Sequence, residues 1–271
     1  MQPTSYFQRQ LTGEKPLSDL EEFKRDSIFN LEKMCSDENV KKVSQEWINQ
    51  TGKHNYAYNW RWLGLPIIQL PADIVATQEL IWKIEPTVII ETGVARGGSL
   101  IFNASQLAML DLCKYGSSSI MNSERRCIGI DIDIRPHNRG AIESHPLSPM
   151  IQMVEGSSTD EITFNKVMEL IKPDDKIMVI LDSNHTHAHV KEELVMYSPL
   201  VSLESYIVVH DTGIEFSPDS AFKNRDWGVG NNPLTAILEF LDSNDTFQVD
   251  KLQSDKLLIT SSPNGYLQRV R

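Results

Sequence analysis

The chain has few cysteines, a deficit of basic side chains and no long apolar run. Its three cysteines, Cys35, Cys113 and Cys127, show neither metal-site spacing nor a disulfide framework, so we expect a reducing compartment. No window approaches the roughly 18 apolar residues of a membrane span. Residues 1–7 lack the apolar core of a signal peptide. We therefore expect a cytoplasmic protein without a membrane span.

The charge balance argues against a nucleic-acid partner. Lysine and arginine total 26 against 37 acidic residues, and the formal net charge is -11. Bulk electrostatics would repel a phosphate backbone. The 271 residues, 40% hydrophobic and 23% charged, have ordinary globular composition.

One glycine turn follows an apolar run and carries neither the dinucleotide fingerprint nor a P-loop. Residues 88–92 predict a strand and residues 100–110 a helix, with Glu91, Gly93 and Gly97 between them. An acidic residue at a strand end suits a cationic ligand, and S-adenosylmethionine is one. We expect Gly93 to allow close backbone approach and Ser99 to cap the helix. The residues expected to hold the methionine part are Glu91, Thr92, Gly93, Gly98 and Ser99.

Two further strand ends complete the expected nucleotide pocket. The run 127–133 ends in acid, and a carboxylate there usually holds a ribose diol. Asp131 is the first candidate and Asp133 the second. After the next strand, the small residues Gly156, Ser157 and Ser158 predict an adenine contact.

Polar side chains also follow the fourth and fifth predicted strands, residues 176–181 and 205–209. Asp182 and the pair His210-Asp211 should meet at one edge of the sheet, where Asp182 also borders the methyl-donor pocket. Two carboxylates and an imidazole can bind a divalent cation. Carboxylate and water favour Mg²⁺ or Mn²⁺, and the imidazole admits a transition metal.

Methyl transfer to an alcohol needs a general base, and three histidines follow Asp182. His185, three residues further on, is our choice, because an imidazole titrates near neutral pH. His187 and His189 are expected on the following helix as structural or solvated side chains.

The remaining pattern predicts the domain organisation. Residues 1–53 are expected as a helical N-terminal extension and 54–271 as the catalytic domain. The aromatic segment 54–71 fits either a lid or a strap on the core. Asp73 should cap the helix 74–84, residues 114–126 form a polar connector, and 247–252 with 256–260 predict a closing hairpin.

Several motifs, in order, resemble the cephalosporin hydroxylase / rhamnosyl O-methyltransferase family. The similarity covers roughly residues 55–271. The motifs that carry it are Trp62-Leu63-Gly64-Leu65-Pro66-Ile67-Ile68-Gln69, Ile90-Glu91-Thr92-Gly93 with Gly97-Gly98-Ser99, the run Gly129 to Asn138, Leu181-Asp182-Ser183, and Ser262-Pro263-Asn264-Gly265-Tyr266-Leu267.

The resemblance implies a Rossmann-like α/β fold with seven mostly parallel strands, an antiparallel last strand and helices on both faces. It also implies S-adenosylmethionine, a divalent metal (usually Mg²⁺) and transfer to a hydroxyl of a sugar, glycan or natural-product scaffold. Homo-oligomers are common in the family. Its metal ligands would fall on Asp182 and the pair after the fifth strand, and its catalytic histidine on His185.

One position departs from the family pattern. The pair after the fifth strand is usually Glu-Asp, whereas here it is His210-Asp211, which removes one negative charge from the site. Two alternatives stay open at this point: a non-haem metal oxygenase that uses the histidine-rich cluster, and a non-catalytic nucleotide-binding homologue.

Overall fold

A computed structural model describes residues 18–116 and 123–271. The expected extension before residue 18 and residues 117–122 of the expected connector lie outside the described residues. The helices are α1 (Asp19–Ser36), α2 (Glu38–Gly52), α3 (Pro71–Ile84), α4 (Gly98–Tyr115), α5 (Pro136–Glu143), α6 (Glu161–Glu169), α7 (His187–Tyr197), α8 (Pro233–Ser243) and α9 (Lys251–Asp255). The strands are β1 (Trp60–Trp62), β2 (Leu65–Ile67), β3 (Val88–Thr92), β4 (Arg126–Asp131), β5 (Ile151–Glu155), β6 (Ile177–Leu181), β7 (Tyr206–Val209), β8 (Phe247–Val249) and β9 (Tyr266–Arg269).

A seven-stranded sheet organises the described residues, in the order β5-β4-β3-β6-β7-β9-β8. The pairs from β5 to β7 are parallel, and β9 runs antiparallel to both β7 and β8. The expected α/β class, with a mostly parallel sheet and an antiparallel last strand, is confirmed. The chain starts this sheet at β3, builds outward to β5, and then returns to add β6 beside β3. Sheets of this kind bind ligands at such a reversal, outside the carboxyl ends of the strands.

The strand register brings three loops to one edge of the sheet. Thr92 of β3 pairs with Leu181 of β6, and Leu181 pairs with Val209 of β7. All three residues are the last of their strands. The loops that follow β3, β6 and β7 therefore leave the sheet side by side.

Helices cover both faces of the sheet because alternate residues of a buried parallel strand point to opposite sides. Ile89 belongs to one core cluster, with Phe102 of α4. Its neighbour Ile90 belongs to the other cluster, with Leu194 of α7 and Ile237 of α8. Both faces of β3 are consequently buried, which holds the loop after it in a fixed position.

The aromatic segment packs on α4 through the β1–β2 hairpin. The indole N–H of Trp62 donates to Ser105 Oγ at 2.9 Å, and the Trp62 and Phe102 rings meet edge to face at 4.9 Å. A methyl group on Gly98 would lie 2.1 Å from the carbonyl oxygen of Pro66, so glycine allows this close contact. Of the two expectations for the segment, the hairpin half fits a strap on the core.

The closing hairpin expected at 247–252 and 256–260 is wrong in its second half. β8 is followed by the short helix α9, because the Asp250 carboxylate accepts a hydrogen bond from the Gln253 N–H at 3.0 Å and caps that helix. The strand that pairs with β8 is β9, which overlaps the last of the motifs that carry the family resemblance.

The expected capping role of Asp73 is also wrong. Leu70 is the cap of α3, and Pro71 opens the helix. The Asp73 carboxylate is fully buried and accepts hydrogen bonds from the Ser261 N–H at 2.9 Å and the Tyr266 hydroxyl at 3.2 Å. Burial raises the pKa of this carboxyl. Asp73 thus joins α3 to the segment before β9.

The described part of the N-terminal extension is helical. Ser18 and Glu21 form a capping box at the start of α1, and no residue of α1 is buried. The Cys35 thiol donates to the Asp255 carbonyl at 2.6 Å, which attaches α1 to α9. No helix in the described part of the chain has the length and apolar character needed to cross a membrane.

Candidate active site

The glycine turn after β3 packs directly on the loop after β6. Gly93 has a φ of 93°, and a methyl group on it would lie 2.0 Å from the backbone carbonyl oxygen of Asp182. The Gly93 N–H donates to the Ile130 carbonyl at 2.7 Å, and the Asp182 N–H donates to the Thr92 carbonyl at 2.9 Å. Position 93 therefore requires glycine for the contact between two loops of the protein, in addition to any ligand.

Glu91 lies buried beneath this turn. Its carboxyl accepts hydrogen bonds from the Ser99 hydroxyl and, at 2.7 Å, from the Asn103 amide. Burial raises the pKa of Glu91 to about 7, although both hydrogen bonds lower it. The cap of α4 is Gly97, with a φ of 81° and no side-chain cap, so the expectation that Ser99 caps this helix is wrong. Ser99 instead joins α4 to the end of β3.

Asp131 holds the shape of the same turn. One carboxylate oxygen accepts the backbone N–H groups of Val94 at 2.9 Å and Ala95 at 3.1 Å, and the other accepts the Asp133 N–H at 3.1 Å. The Asp133 carboxylate is exposed and lies 3.6 Å from Arg135. Asp131 is therefore the one of the two candidates that contacts the glycine turn, and a carboxylate has roughly four acceptor positions.

The loop expected to contact adenine, residues 156–158, is fixed by contacts with neighbouring residues of the protein. Gly156 has a φ of 151°, and a methyl group on it would lie 2.1 Å from Thr163 Oγ1. The hydroxyls of Ser157 and Thr159 lie 3.1 Å apart. Ser158 is buried, and its carbonyl accepts a hydrogen bond from the Tyr197 hydroxyl at 2.8 Å.

A polar network links the adenine loop to the loop after β6. Nε2 of His189 lies 3.0 Å from Ser158 Oγ and 3.1 Å from Ser183 Oγ. The Ser183 hydroxyl donates to Glu193 Oε1 at 2.7 Å. Glu193 is completely buried, and its Oε2 has no hydrogen-bond partner among the described residues. His189, expected as a structural or solvated side chain, connects two parts of the site.

Asp182, His185 and Asp211 come together at the shared sheet edge. One potential ligand atom from each lies within 4.8 Å of the others. Nε2 of His185 is 3.2 Å from Asp211 Oδ2, and the two side chains are 18% and 39% exposed. Asp211 has a φ of 58°, a left-handed conformation that aspartate tolerates better than most residues. The group is open enough for a ligand to reach.

The protonation of Asp182 reflects its surroundings. Burial raises the pKa of its carboxyl well above the usual range, and the nearby charges of Asp211 and then Glu91 raise it further. Two carboxylates that face each other favour a shared proton or a cation. The donor set fits a divalent metal: two carboxylates suit Mg²⁺ or Mn²⁺, and an imidazole also suits later transition metals.

His210, expected as a ligand, lies outside this cluster. Its Nδ1 is 3.0 Å from Ser262 Oγ, and its Nε2 is 3.4 Å from the amide nitrogen of Gln69. The side chain is only 2% exposed, and burial lowers its pKa, so the ring is neutral near pH 7. The structure thus brings two of the three expected ligands together and puts His185 where the third was expected. A single imidazole departs from the two-histidine facial triad of iron oxygenases.

Trp227 borders the cluster on the side of the long loop after β7. Its ring meets His185 edge to face at 4.9 Å, and the Arg225 guanidinium lies 5.1 Å from its centre. No sequence pattern indicates this contact. Gln69 and Ser262, by contrast, stand inside motifs that carry the family resemblance, and that position could have marked them.

Comparison with known proteins decides the family. The sequence pattern of the family described as Rhamnosyl O-methyltransferase/CmcI matches residues 54–270. The chain belongs to this family. The resemblance identified from the motifs is confirmed, and membership places the chain among the S-adenosylmethionine-dependent O-methyltransferases.

Curated relatives of this chain support the same family. Rhamnosyl O-methyltransferase of Mycobacterium tuberculosis (strain ATCC 25618 / H37Rv) is 28% identical over 211 residues, which are 77% of each chain. The protein of the same name from Mycobacterium leprae (strain TN) is 24% identical over 79% of this chain and 86% of its own. The solved structure "cmcI-D160 Mg-SAM" has a TM-score of 0.50 and 21% identity, and covers 79% of this chain and 78% of that one. It shows the same fold.

Proposed function

We propose that this family member transfers the methyl group of S-adenosylmethionine to a hydroxyl of a sugar, a glycan or a natural-product scaffold with the help of a divalent metal. One observation carries the proposal. The side chains of Asp182, His185 and Asp211 converge beside the glycine turn, at the edge where such sheets bind their ligands.

The methyl donor is proposed to lie along three strand ends. Residues 91–93 with Gly98 and Ser99 face its methionine part, and a buried Glu91 that becomes ionised would pair with the ammonium group. Asp131 holds the glycine turn and keeps acceptor capacity for the ribose hydroxyls. The loop 156–158 lines the adenine. Asp182 is proposed to lie between the donor and the metal.

Asp182 and Asp211 are the proposed metal ligands, and water completes the shell. A cation bound there supplies charge that lowers the pKa of an acceptor hydroxyl. Magnesium is the first candidate because both residues offer oxygen. The solved relative "cmcI-D160 Mg-SAM" carries that metal in its own name.

His185 is the proposed general base. Its imidazole accepts the proton of the acceptor hydroxyl, and Asp211, whose Oδ2 lies 3.2 Å from Nε2, stabilises the resulting imidazolium. The acceptor oxygen forms a bond to the methyl carbon while the carbon–sulfur bond breaks. The electron pair of the broken bond remains on sulfur. The Trp227 ring packs edge to face against the His185 ring. If His185 binds the metal instead, the base must come from elsewhere.

The acceptor class follows from less direct support. The curated relatives are named for rhamnosyl groups. We therefore put a deoxysugar or sugar hydroxyl first among acceptors. The aromatic segment 54–62 and the loop 213–232, whose Trp227 contacts His185, are proposed to select among them.

Three wider features are proposals of the same kind. We keep residues 1–53 as an extension and 54–271 as the methyltransferase domain. A homo-oligomer is supported by exposed apolar side chains on α1, among them Phe23 at 70% and Phe29 at 54% exposure. A cytoplasmic location is supported by the three free cysteines.

Titration calorimetry tests the donor and the metal separately. We expect the protein to bind S-adenosylmethionine, and to bind Mn²⁺ with loss of that binding in Asp182→Asn and Asp211→Asn. Asp174→Asn, an exposed carboxylate in a turn, is the matched control. A panel of sugars, glycans and glycosylated small molecules with methyl-labelled donor then identifies the acceptor.

The outcomes separate the alternatives. No donor binding with or without Mg²⁺ would rule out the methyltransferase proposal. Donor binding without any metal binding would favour the non-catalytic homologue if no acceptor is methylated, and a metal-independent enzyme if one is. Iron at one per chain together with oxygen consumption in the absence of donor would favour the oxygenase.

A further inference from the structure

A cavity of about 470 Å³ lies between the aromatic segment and the glycine turn. Its aromatic and charged groups are Tyr58, Trp60, Arg61 and Arg96, and no acidic residue lines it. We call it the arginine cavity. Tyr58 and both arginines are exposed, and Trp60 is half-buried, so its groups are available to a ligand.

The two arginines leave positive charge uncompensated. Within the described residues, neither Arg61 nor Arg96 has a carboxylate within ion-pair distance. Among the described residues, the one hydrogen bond of the Arg61 side chain is a long one, 3.5 Å, to the Gly64 carbonyl. The chain as a whole carries a net charge of -11, so a local cationic site without acidic neighbours is a distinct feature. Its natural complement is an anion.

The arginine cavity adjoins the proposed active site at two points. Arg96 belongs to the glycine turn, whose Gly93 packs on Asp182. Ile68 lines the cavity, and the next residue, Gln69, contacts His210 beside Asp211. A ligand in the cavity is therefore held by elements that are packed against both of the loops that carry the proposed metal ligands.

We propose that the arginine cavity binds the anionic part of a sugar acceptor, either a phosphate ester or a carboxylate. A guanidinium binds both anions through two parallel hydrogen bonds. Aromatic rings such as Tyr58 and Trp60 cover the apolar face of a sugar or a base. The inference rests on the proposed function, because it takes the occupant to be the molecule whose hydroxyl is methylated.

Calorimetry without methyl donor tests the binding directly. The probes are methyl glucoside, glucuronic acid, glucose 1-phosphate and uridine diphosphate glucose. We expect an anionic probe to bind at least about tenfold more tightly than the neutral glycoside, because a charge-assisted hydrogen bond is worth about one decade of affinity or more. The phosphate and carboxylate probes distinguish the two sources of charge. Affinity should fall as salt rises, since both arginines are exposed.

Single substitutions locate the site. Arg61→Gln and Arg96→Gln should each weaken the anionic probe about tenfold and leave the affinity for S-adenosylmethionine unchanged. Arg271→Gln is the matched control, because that arginine pairs with Asp245 at the far end of β9. Circular dichroism and the melting temperature establish that each variant is folded.

Each of the following results either supports or overturns the inference about the arginine cavity. Equal binding of neutral and anionic sugars overturns the inference, as does an equal effect of Arg271→Gln. Loss of donor affinity in Arg96→Gln would assign the arginine to the methionine carboxylate and also overturn it. If the donor binds and no anionic sugar does, the inference fails and the methyltransferase proposal stands. If an anionic sugar binds through both arginines and the donor does not bind, the cavity is supported and the methyltransferase proposal fails.

Discussion

Nε2 of His189 lies 3.0 Å from Oγ of Ser158, so a side chain of α7 reaches the loop after β5. The same nitrogen is 3.1 Å from Ser183, the residue after Asp182. One imidazole therefore contacts both the proposed adenine loop and the proposed metal loop.

Removing this imidazole should weaken both ligands. We expect His189→Ala to lower the affinities for S-adenosylmethionine and for Mn²⁺, and to destabilise the fold by about 1–3 kcal/mol, because Ser183 and the buried Glu193 lose a polar neighbour. Ser158→Ala should weaken only the donor. Calorimetry with each ligand and urea unfolding measure these effects. His137→Ala, an exposed histidine of α5, is the control, and equal behaviour of the two histidine variants would contradict the linking role.

The position of His210 predicts that it is not needed for metal binding. Its ring nitrogens face Ser262 and Gln69, outside the cluster that contains Asp211. We expect His210→Asn to keep Mn²⁺ affinity within a few-fold while Asp211→Asn loses it, as measured by calorimetry or electron paramagnetic resonance. His210→Glu should be destabilised, because it would place a second buried carboxyl close to Asp73. Loss of metal in His210→Asn, with an unchanged melting temperature, would show that this ring is a ligand.

The buried carboxyl of Glu91 predicts a pH dependence of stability. Its pKa is about 7 in the folded protein against an ordinary 4.5, so the folded state binds the extra proton between those values. Stability should therefore fall as pH rises from about 4.5 to about 7. We compare the change in the free energy of unfolding that Glu91→Gln causes at two pH values. That change should be more favourable at pH 8 than at pH 4, by up to roughly 3 kcal/mol. Urea unfolding at several pH values measures this, with the exposed Glu192→Gln as control.

The same group predicts a proton linked to donor binding. An ammonium group next to Glu91 would favour the ionised carboxylate, so binding of S-adenosylmethionine should release a proton near pH 6 and strengthen as pH rises through 7. Calorimetry in buffers of different ionisation enthalpy measures the proton count. The release should be absent in Glu91→Gln, and an unchanged release there would assign the proton to another group.

The contact between two loops at Gly93 predicts a steric effect beyond backbone strain. Gly93 and Gly116 both have positive φ, 93° and 81°, but no described residue lies within 4 Å of a methyl group at Gly116. Gly116 has a φ of 81° and a ψ of 179°, a region used almost only by glycine, so we expect Gly116→Ala to cost about 1–3 kcal/mol from backbone conformation alone. Gly93→Ala should cost a further 1–3 kcal/mol or so, because Asp182 must move, and it should also weaken donor and metal binding. Equal losses in both variants, measured by urea unfolding, would argue against the clash.

Sequence patterns predicted the central sheet well because its signals are local. The runs 88–92 and 177–181 are apolar and rich in β-branched residues, and both form strands buried on each face. The ends of the same runs also indicated which acidic or polar residues lie at the ends of the strands. The number of strands and the antiparallel last strand came from the family resemblance, which did not indicate that β9 is that strand.

The failures share a different cause, since they depend on contacts between distant parts of the chain. His210 contacts Gln69 across 141 residues, and Asp73 contacts Ser261 across 188. A residue type alone cannot show whether an imidazole faces a ligand or a buried serine. Ser99 fits the composition of a helix cap, yet its hydroxyl bonds to Glu91 on the neighbouring strand.

β9 occupies an interior place in the sheet although it comes after β8 in the chain. During synthesis, β8 emerges first and cannot pair with its native partner until residues 266–269 have left the ribosome. The segment just before β9 also supplies the partners of His210 and Asp73. The loop after β7 can therefore gain these buried contacts only after the segment before β9 has been synthesised.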